Sequence, residues 1–149
     1  LMVLAVLRTL GIDKIIAVDG NDNRLELAKE MGATATFNFT KYASFDDMLA
    51  EIRKESDGLG AGFVFQCTAG GTCTIDPHYD LCNKEVTAVG SWVYSPQDYP
   101  TAFAFLRRAA GIGLPMEKLV THHIPLERIQ EALEVNVNMQ GIKVAVIVD

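Results

Sequence analysis

Apolar positions recur with the period of a helix in some stretches and of a strand in others, and the two alternate through the first two-thirds of the chain. That alternation predicts an α/β sheet. Residues 1–10 are apolar on nearly every side and stop at Gly11, which predicts a buried helix closed by a glycine. The short run Lys14-Ile15-Ile16-Ala17-Val18 ends in Asp19-Gly20-Asn21, the pattern of a buried parallel strand entering a turn. A helix is expected from about Asn21 to Gly32, with Leu25, Ala28 and Met31 on its inner face. Residues 34–38 predict a second strand. Ser44 then caps a helix, with Asp47 three residues on and Phe45, Met48, Leu49 and Ile52 along one side.

Beyond the turn at residues 57–60, the run 62–67 predicts another buried strand. A parallel neighbour needs a crossover of about a dozen residues or more. Only Thr68 to Thr72 separate Cys67 from the next β-like run, Cys73-Thr74-Ile75. Either a sharp hairpin lies there or a helix and a strand are missing near Gly70 and Gly71; the second reading is preferred. Residues 85–94 predict a strand, and Ser95-Pro96-Gln97-Asp98 a capping box that opens a helix to about Gly111. A short strand at 121–124, a helix at 125–135 with Leu126, Ile129 and Leu133 inward, and a strand at 143–148 complete the chain.

Composition narrows the function classes. The 149 residues suffice for one domain with a hydrophobic core. With 49% hydrophobic and 21% charged residues the chain reads as globular. A net charge of −6 argues against nucleic acid or an anionic membrane as partner. No run reaches the length of a membrane span. Residues 1–7 resemble the core of a signal peptide but have no basic segment before them and no cleavage site after them. A chain opening at Leu1 is therefore read as a fragment. Cys67, Cys73 and Cys82 are odd in number and lack zinc-knuckle spacing, and free thiols suit a cytoplasmic protein.

The informative feature is the carboxylate that ends the first strand. In a dinucleotide-binding unit such a group accepts hydrogen bonds from the adenosine ribose, about twenty residues beyond a glycine-rich phosphate loop. Counting back from Asp19 by that distance lands just before Leu1, so the helix at residues 1–10 would be the one that faces the pyrophosphate. A carboxylate there favours NAD over NADP, because a 2′-phosphate would meet a like charge. Arg24 keeps NADP open, since an arginine nearby can hold that phosphate. Asp19 also reads as a plain turn-forming aspartate, and a methyltransferase with an adenosyl cofactor places an acid at the same point.

The stretch from Leu10 to Asp19, then Arg24 to Thr34, resembles the cofactor domain of the medium-chain, zinc-dependent alcohol dehydrogenase family. Val89-Gly90-Ser91-Trp92, Leu119-Val120-Thr121-His122 with Pro125-Leu126-Glu127, and Gly141-Ile142-Lys143-Val144 follow in the family's order. The resemblance implies a Rossmann-type, doubly wound parallel sheet. It is incomplete: the first strand with its glycine-rich loop, and a helix-strand unit near Gly70 and Gly71, are missing. It implies that Asp19 takes the adenosine ribose, with Gly20, Asn21 and Arg24 lining that end and Cys67 and Thr68 touching it from the other side. Ser91, Trp92 and Val93 would meet the nicotinamide amide, and Lys143 the pyrophosphate; Lys143 also reads as a solvated charge opening a strand.

The same resemblance divides the chain into a partial cofactor domain at 1–95 and a segment at 96–149 that completes it and packs on a catalytic domain. The parent reaction would be hydride transfer between an alcohol or polyol and NAD, with a zinc ion whose ligands are not in this chain. His122 and His123 point to opposite faces of a strand, so neither they nor the cysteines make a metal pattern. Catalysis by this chain alone is not expected. A homodimer through the edge strand from Glu85 to Trp92 is. Two other readings stand beside these: a non-catalytic nucleotide-binding module, and an inactive assembly fragment.

Overall fold

The computed structural model describes residues 1–56, 58, 60–67, 75–90 and 95–148. Helix α1 (Met2–Thr9) ends as expected, because Gly11 turns the chain at φ 82°. Strand β1 (Ile16–Asp19) follows, then α2 (Asp22–Glu30), β2 (Ala35–Asn38) and α3 (Phe45–Glu55). The second half holds α4 (Tyr99–Gly111), β3 (Val120–Pro125), α5 (Ile129–Val137) and β4 (Lys143–Ile147). Local chemistry sets the starts. Asn21 accepts from the backbone N–H of Arg24 to open α2, and Ser44 from that of Asp47 to open α3. Asp98 accepts from the backbone N–H of Ser95 at 2.7 Å, and Pro96 stands at the first position of the turn that leads into α4.

Two parallel βαβ units result. β1 pairs with β2, Ile16 opposite Ala35 and Asp19 opposite Asn38. β3 pairs with β4 from Val120 opposite Lys143 to Pro125 opposite Ile147, with a bulge between Val120 and His122. A helix bridges each pair, as parallel strands require. The units share one core: Leu4, Ala5, Ile15, Leu27, Ala28 and Met31 pack with Leu119, and Phe105, Leu114, Met116 and Ile142 lean on them from the second half. Among the described residues the strands form two separate pairs rather than one continuous doubly wound sheet.

Several expected elements differ. Residues 62–67 form no strand, and Phe63 and Val64 are 87% and 83% exposed. Residues 85–90 likewise join no ladder, and Val89 is 85% exposed. The cause is common to both. An apolar run becomes a strand only where a neighbouring edge supplies hydrogen bonds, and among the described residues no strand lies beside either run. The segment around Gly70 and Gly71, and the run that opens at Cys73, lie outside the described residues.

Two helices also present apolar side chains that were expected inward. Phe45 is exposed on α3, where Met48 takes the buried position. On α5, Ile129 and Leu133 are exposed, as is Leu126 in the turn before it, while Ala132 is buried. Val135 lies over Gly141, where an added Cβ would come within 3.2 Å of its Cγ1. The short side chain of Ala132 lets α5 sit close on β3 and β4, which turns the larger residues away.

Candidate functional site at the tip of β1

Asp19 ends β1 at the carboxyl edge of the sheet, where ligands of open α/β sheets bind. Its Oδ1 accepts the backbone N–H of Asn21 at 3.0 Å, closing a tight turn. Its Oδ2 lies 3.9 Å from Nη1 of Arg24, with the two side chains 36% and 32% exposed. The carboxylate is thus neither buried nor sealed in an ion pair. Oδ1 orients the group, and Oδ2 faces Arg24 across a long, partly exposed ion pair.

Gly20 leaves room for the ring of Phe39. A Cβ added there would fall 2.7 Å from Cζ of Phe39, whose ring lies against the turn. Phe39 joins Val18, Tyr42, Phe45 and Met48 in an open apolar groove of about 410 Å³ beside Asp19.

Asn21 ties the turn to its surroundings. Its Oδ1 accepts from the N–H of Arg24 at 3.3 Å, and its Nδ2 donates to the carbonyl of Met139 at 3.3 Å. The second contact brings the loop between α5 and β4 to the Asp19 turn. Lys143 opens β4 four residues after Met139 and is exposed. Arg24 reaches back from the first turn of α2, where helical rise returns it toward Asp19.

The outer side of the same edge carries a network that the sequence reading missed. Asn38 ends β2 and is buried. Its Nδ2 donates to Asp22 Oδ1 at 2.8 Å, and its Oδ1 accepts from the N–H and hydroxyl of Thr40 at 3.0 and 2.7 Å. Lys41 donates to the same Asp22 oxygen at 2.8 Å. The Lys41 hydrogen bond, then that of Asn38, holds the Asp22 carboxyl below the ordinary aspartate range. The available signal was the pair Asn38 and Thr40, an Asx turn at a strand end.

The remaining expected site residues are not gathered here. Cys67 lies in an exposed stretch, its thiol 3.6 Å from the carbonyl of Phe65. Thr68, Ser91, Trp92 and Val93 lie outside the described residues. Among the described residues no three His, Cys, Asp or Glu side chains converge in a way that would hold a metal ion. The described residues therefore offer no zinc site, and no chemical step through zinc is assigned to them. No helix among the described residues is long and apolar enough to cross a membrane.

Comparison with known proteins gives a consistent picture. A family profile described as zinc-binding dehydrogenase matches residues 1–76. Sorbitol dehydrogenase 1 of Saccharomyces cerevisiae is 28% identical over 162 residues, covering 92% of this chain and 44% of that protein. D-xylulose reductase A of Aspergillus niger is 29% identical over 166 residues, covering 96% and 46%. Among solved structures, an alcohol dehydrogenase from Thermotoga maritima superposes with TM-score 0.81 at 23% identity, over 96% of this chain and 45% of that one. L-idonate 5-dehydrogenase from Escherichia coli gives 0.67 at 22% identity, over 99% and 46%. These two share the fold. The chain spans less than half the length of the relatives it matches.

Proposed function

The chain belongs to the zinc-binding dehydrogenase family, and from that premise we propose that it is the cofactor-holding part of an NAD-linked alcohol or polyol dehydrogenase. The observation that carries this reading is Asp19: a carboxylate 36% exposed at the tip of a parallel strand, with one oxygen fixed by Asn21 and the other only loosely paired with Arg24 at 3.9 Å. A ribose diol presents two donors to such a group, and charge-assisted hydrogen bonds are the strong kind.

In this reading Asp19 accepts from the adenosine ribose, Gly20 and Asn21 shape the turn beneath it, and Arg24 borders the same end. By the family resemblance the N-terminus of α1 would face the pyrophosphate, with Lys143. Cys67 and Thr68 close the ribose from the other side, and Ser91, Trp92 and Val93 meet the nicotinamide amide. Bound NAD supplies hydride acceptance; this chain's part is to hold and orient it. The residues at 1–95 form the body of the cofactor domain, and those at 96–149 complete it and pack on the catalytic part. Zinc ligands and proton-relay groups belong to that other part, so this chain alone is proposed to be inactive. The setting is cytoplasmic.

Isothermal calorimetry of the 149-residue chain with NAD and with NADP tests the proposal. Heat with NAD, and weaker binding of NADP, is the expected result. No heat with either supports the inactive-fragment reading instead. Self-association through residues 85–92 belongs to the same reading, since pairing with a second copy would give residues 85–90 the ladder they lack among the described residues. A monomer in sedimentation velocity at high concentration overturns it.

A further inference from the structure

Capping alone does not explain why residue 21 is asparagine. Serine and aspartate cap a helix as well as asparagine does, yet neither carries the amide hydrogen that reaches Met139 at 3.3 Å. Every polar group of the Asn21 side chain is used: Oδ1 on the N–H of Arg24 at 3.3 Å and Nδ2 on the Met139 carbonyl. Its backbone N–H holds Asp19 Oδ1 at 3.0 Å. Met139 stands at φ 54°, a left-handed conformation that a residue with a side chain adopts at a steric cost. That conformation turns its carbonyl to the amide. One residue thus ties together the ribose carboxylate, the start of α2 and the loop four residues before Lys143.

We infer that Asn21 is a positioning residue that sets the spacing between Asp19 and Lys143. It thereby favours a ligand with both a ribose diol and a diphosphate over one with a single ribose phosphate. The inference rests on the nucleotide reading above and extends it: Asp19 and Lys143 act at two points of one ligand, and the Asn21–Met139 bond keeps those points in register. A ligand that reaches only Asp19 gains little from the tie. A ligand that reaches both loses affinity when the loop is released, because it must then order the loop itself.

The test is NMR titration of the 149-residue chain with AMP and with ADP-ribose, for the wild type and for Asn21→Ser. Serine keeps the cap and removes the amide donor, so the thermal midpoint should fall by no more than about 2–4 °C, the loss of one ordinary hydrogen bond. The wild type should bind ADP-ribose more tightly than AMP. In Asn21→Ser the ADP-ribose affinity should fall about fivefold more than the AMP affinity, the effect of one lost hydrogen bond of ordinary strength. Equal changes for the two ligands overturn the inference and leave the nucleotide reading standing. A wild type that binds neither ligand overturns both. Lys143→Gln gives a second arm: it should erase the same preference, and the double variant should lose no more than Lys143→Gln alone. Additive losses also overturn the inference.

Discussion

Asp19 at the end of β1 and Arg24 in the first turn of α2 hold opposite charges 3.9 Å apart, each about one-third exposed. A pair so exposed contributes on the order of 0–1 kcal/mol to folding. Its arrangement is therefore better explained by what the two groups offer a ligand than by what they add to stability. On the proposed nucleotide reading, Asp19 would disfavour a 2′-phosphate and Arg24 would attract one, so the choice between NAD and NADP would turn on this pair.

Replacing Asp19 by Ala should lower NAD affinity by roughly tenfold or more, since a hydrogen bond to a charged group is worth about 1.5–3 kcal/mol. The same change leaves Arg24 unopposed, so NADP affinity should rise relative to NAD. Calorimetry with both nucleotides reads the ratio. An unchanged ratio removes Asp19 from the ribose site.

Gly32 should resist substitution. It turns the chain after α2 at φ 98°, and an added Cβ would fall 2.8 Å from Nε of Arg8. Gly32→Ala is expected to lower stability by about 1–2 kcal/mol, the usual cost of a side chain in left-handed backbone. Urea denaturation measures it, and a loss below about half a kcal/mol would show that the turn relaxes freely.

Met139 should behave in the opposite way. It follows the end of α5 at φ 54°, a place where glycine closes helices without steric penalty. Met139→Gly is expected to stabilise the chain by up to about 1 kcal/mol. A loss of stability in the same denaturation experiment would mean that the methionine side chain contributes more than its backbone costs.

Acid should act on the β2 edge through Asp22. Its carboxyl is held below the ordinary value of 3.8, first by the Lys41 hydrogen bond and then by Asn38. A depressed carboxyl adds stability that is fully present above 3.8 and is lost as pH falls through the folded midpoint. An NMR titration should place the Asp22 midpoint below 3.8 in the wild type and closer to it in Lys41→Gln. Coincident midpoints in the two proteins would remove Lys41 as the cause.

The sequence disclosed most where a residue acts on its near neighbours. Asn21 and Ser44 announce α2 and α3 because capping spans three residues, and Gly11 and Gly32 mark ends because only glycine turns easily there. Asp19 was legible because a strand that stops at an acid and a turn is a local pattern. Residues 62–67 and 85–90 misled for a complementary reason. An apolar run records a wish for burial but carries no information about whether a neighbouring edge exists to receive it. Leu126, Ile129 and Leu133 were misplaced because helical spacing fixes which residues share a face, not which face meets the sheet. The link from Asn38 to Asp22 joins the end of β2 to the start of α2 through the register of β1 and β2, and that register is invisible before the strands are paired.

The two βαβ units meet through Leu4, Ala5 and Met31 on one side and Leu119 with its neighbours on the other, and no strand ladder crosses between them among the described residues. An oily seam and a hydrogen-bonded ladder respond differently to temperature, since apolar contacts weaken on cooling. Chilled water should thus weaken the join before it weakens the ladders, making the contact between the two units the part of the chain most sensitive to cold.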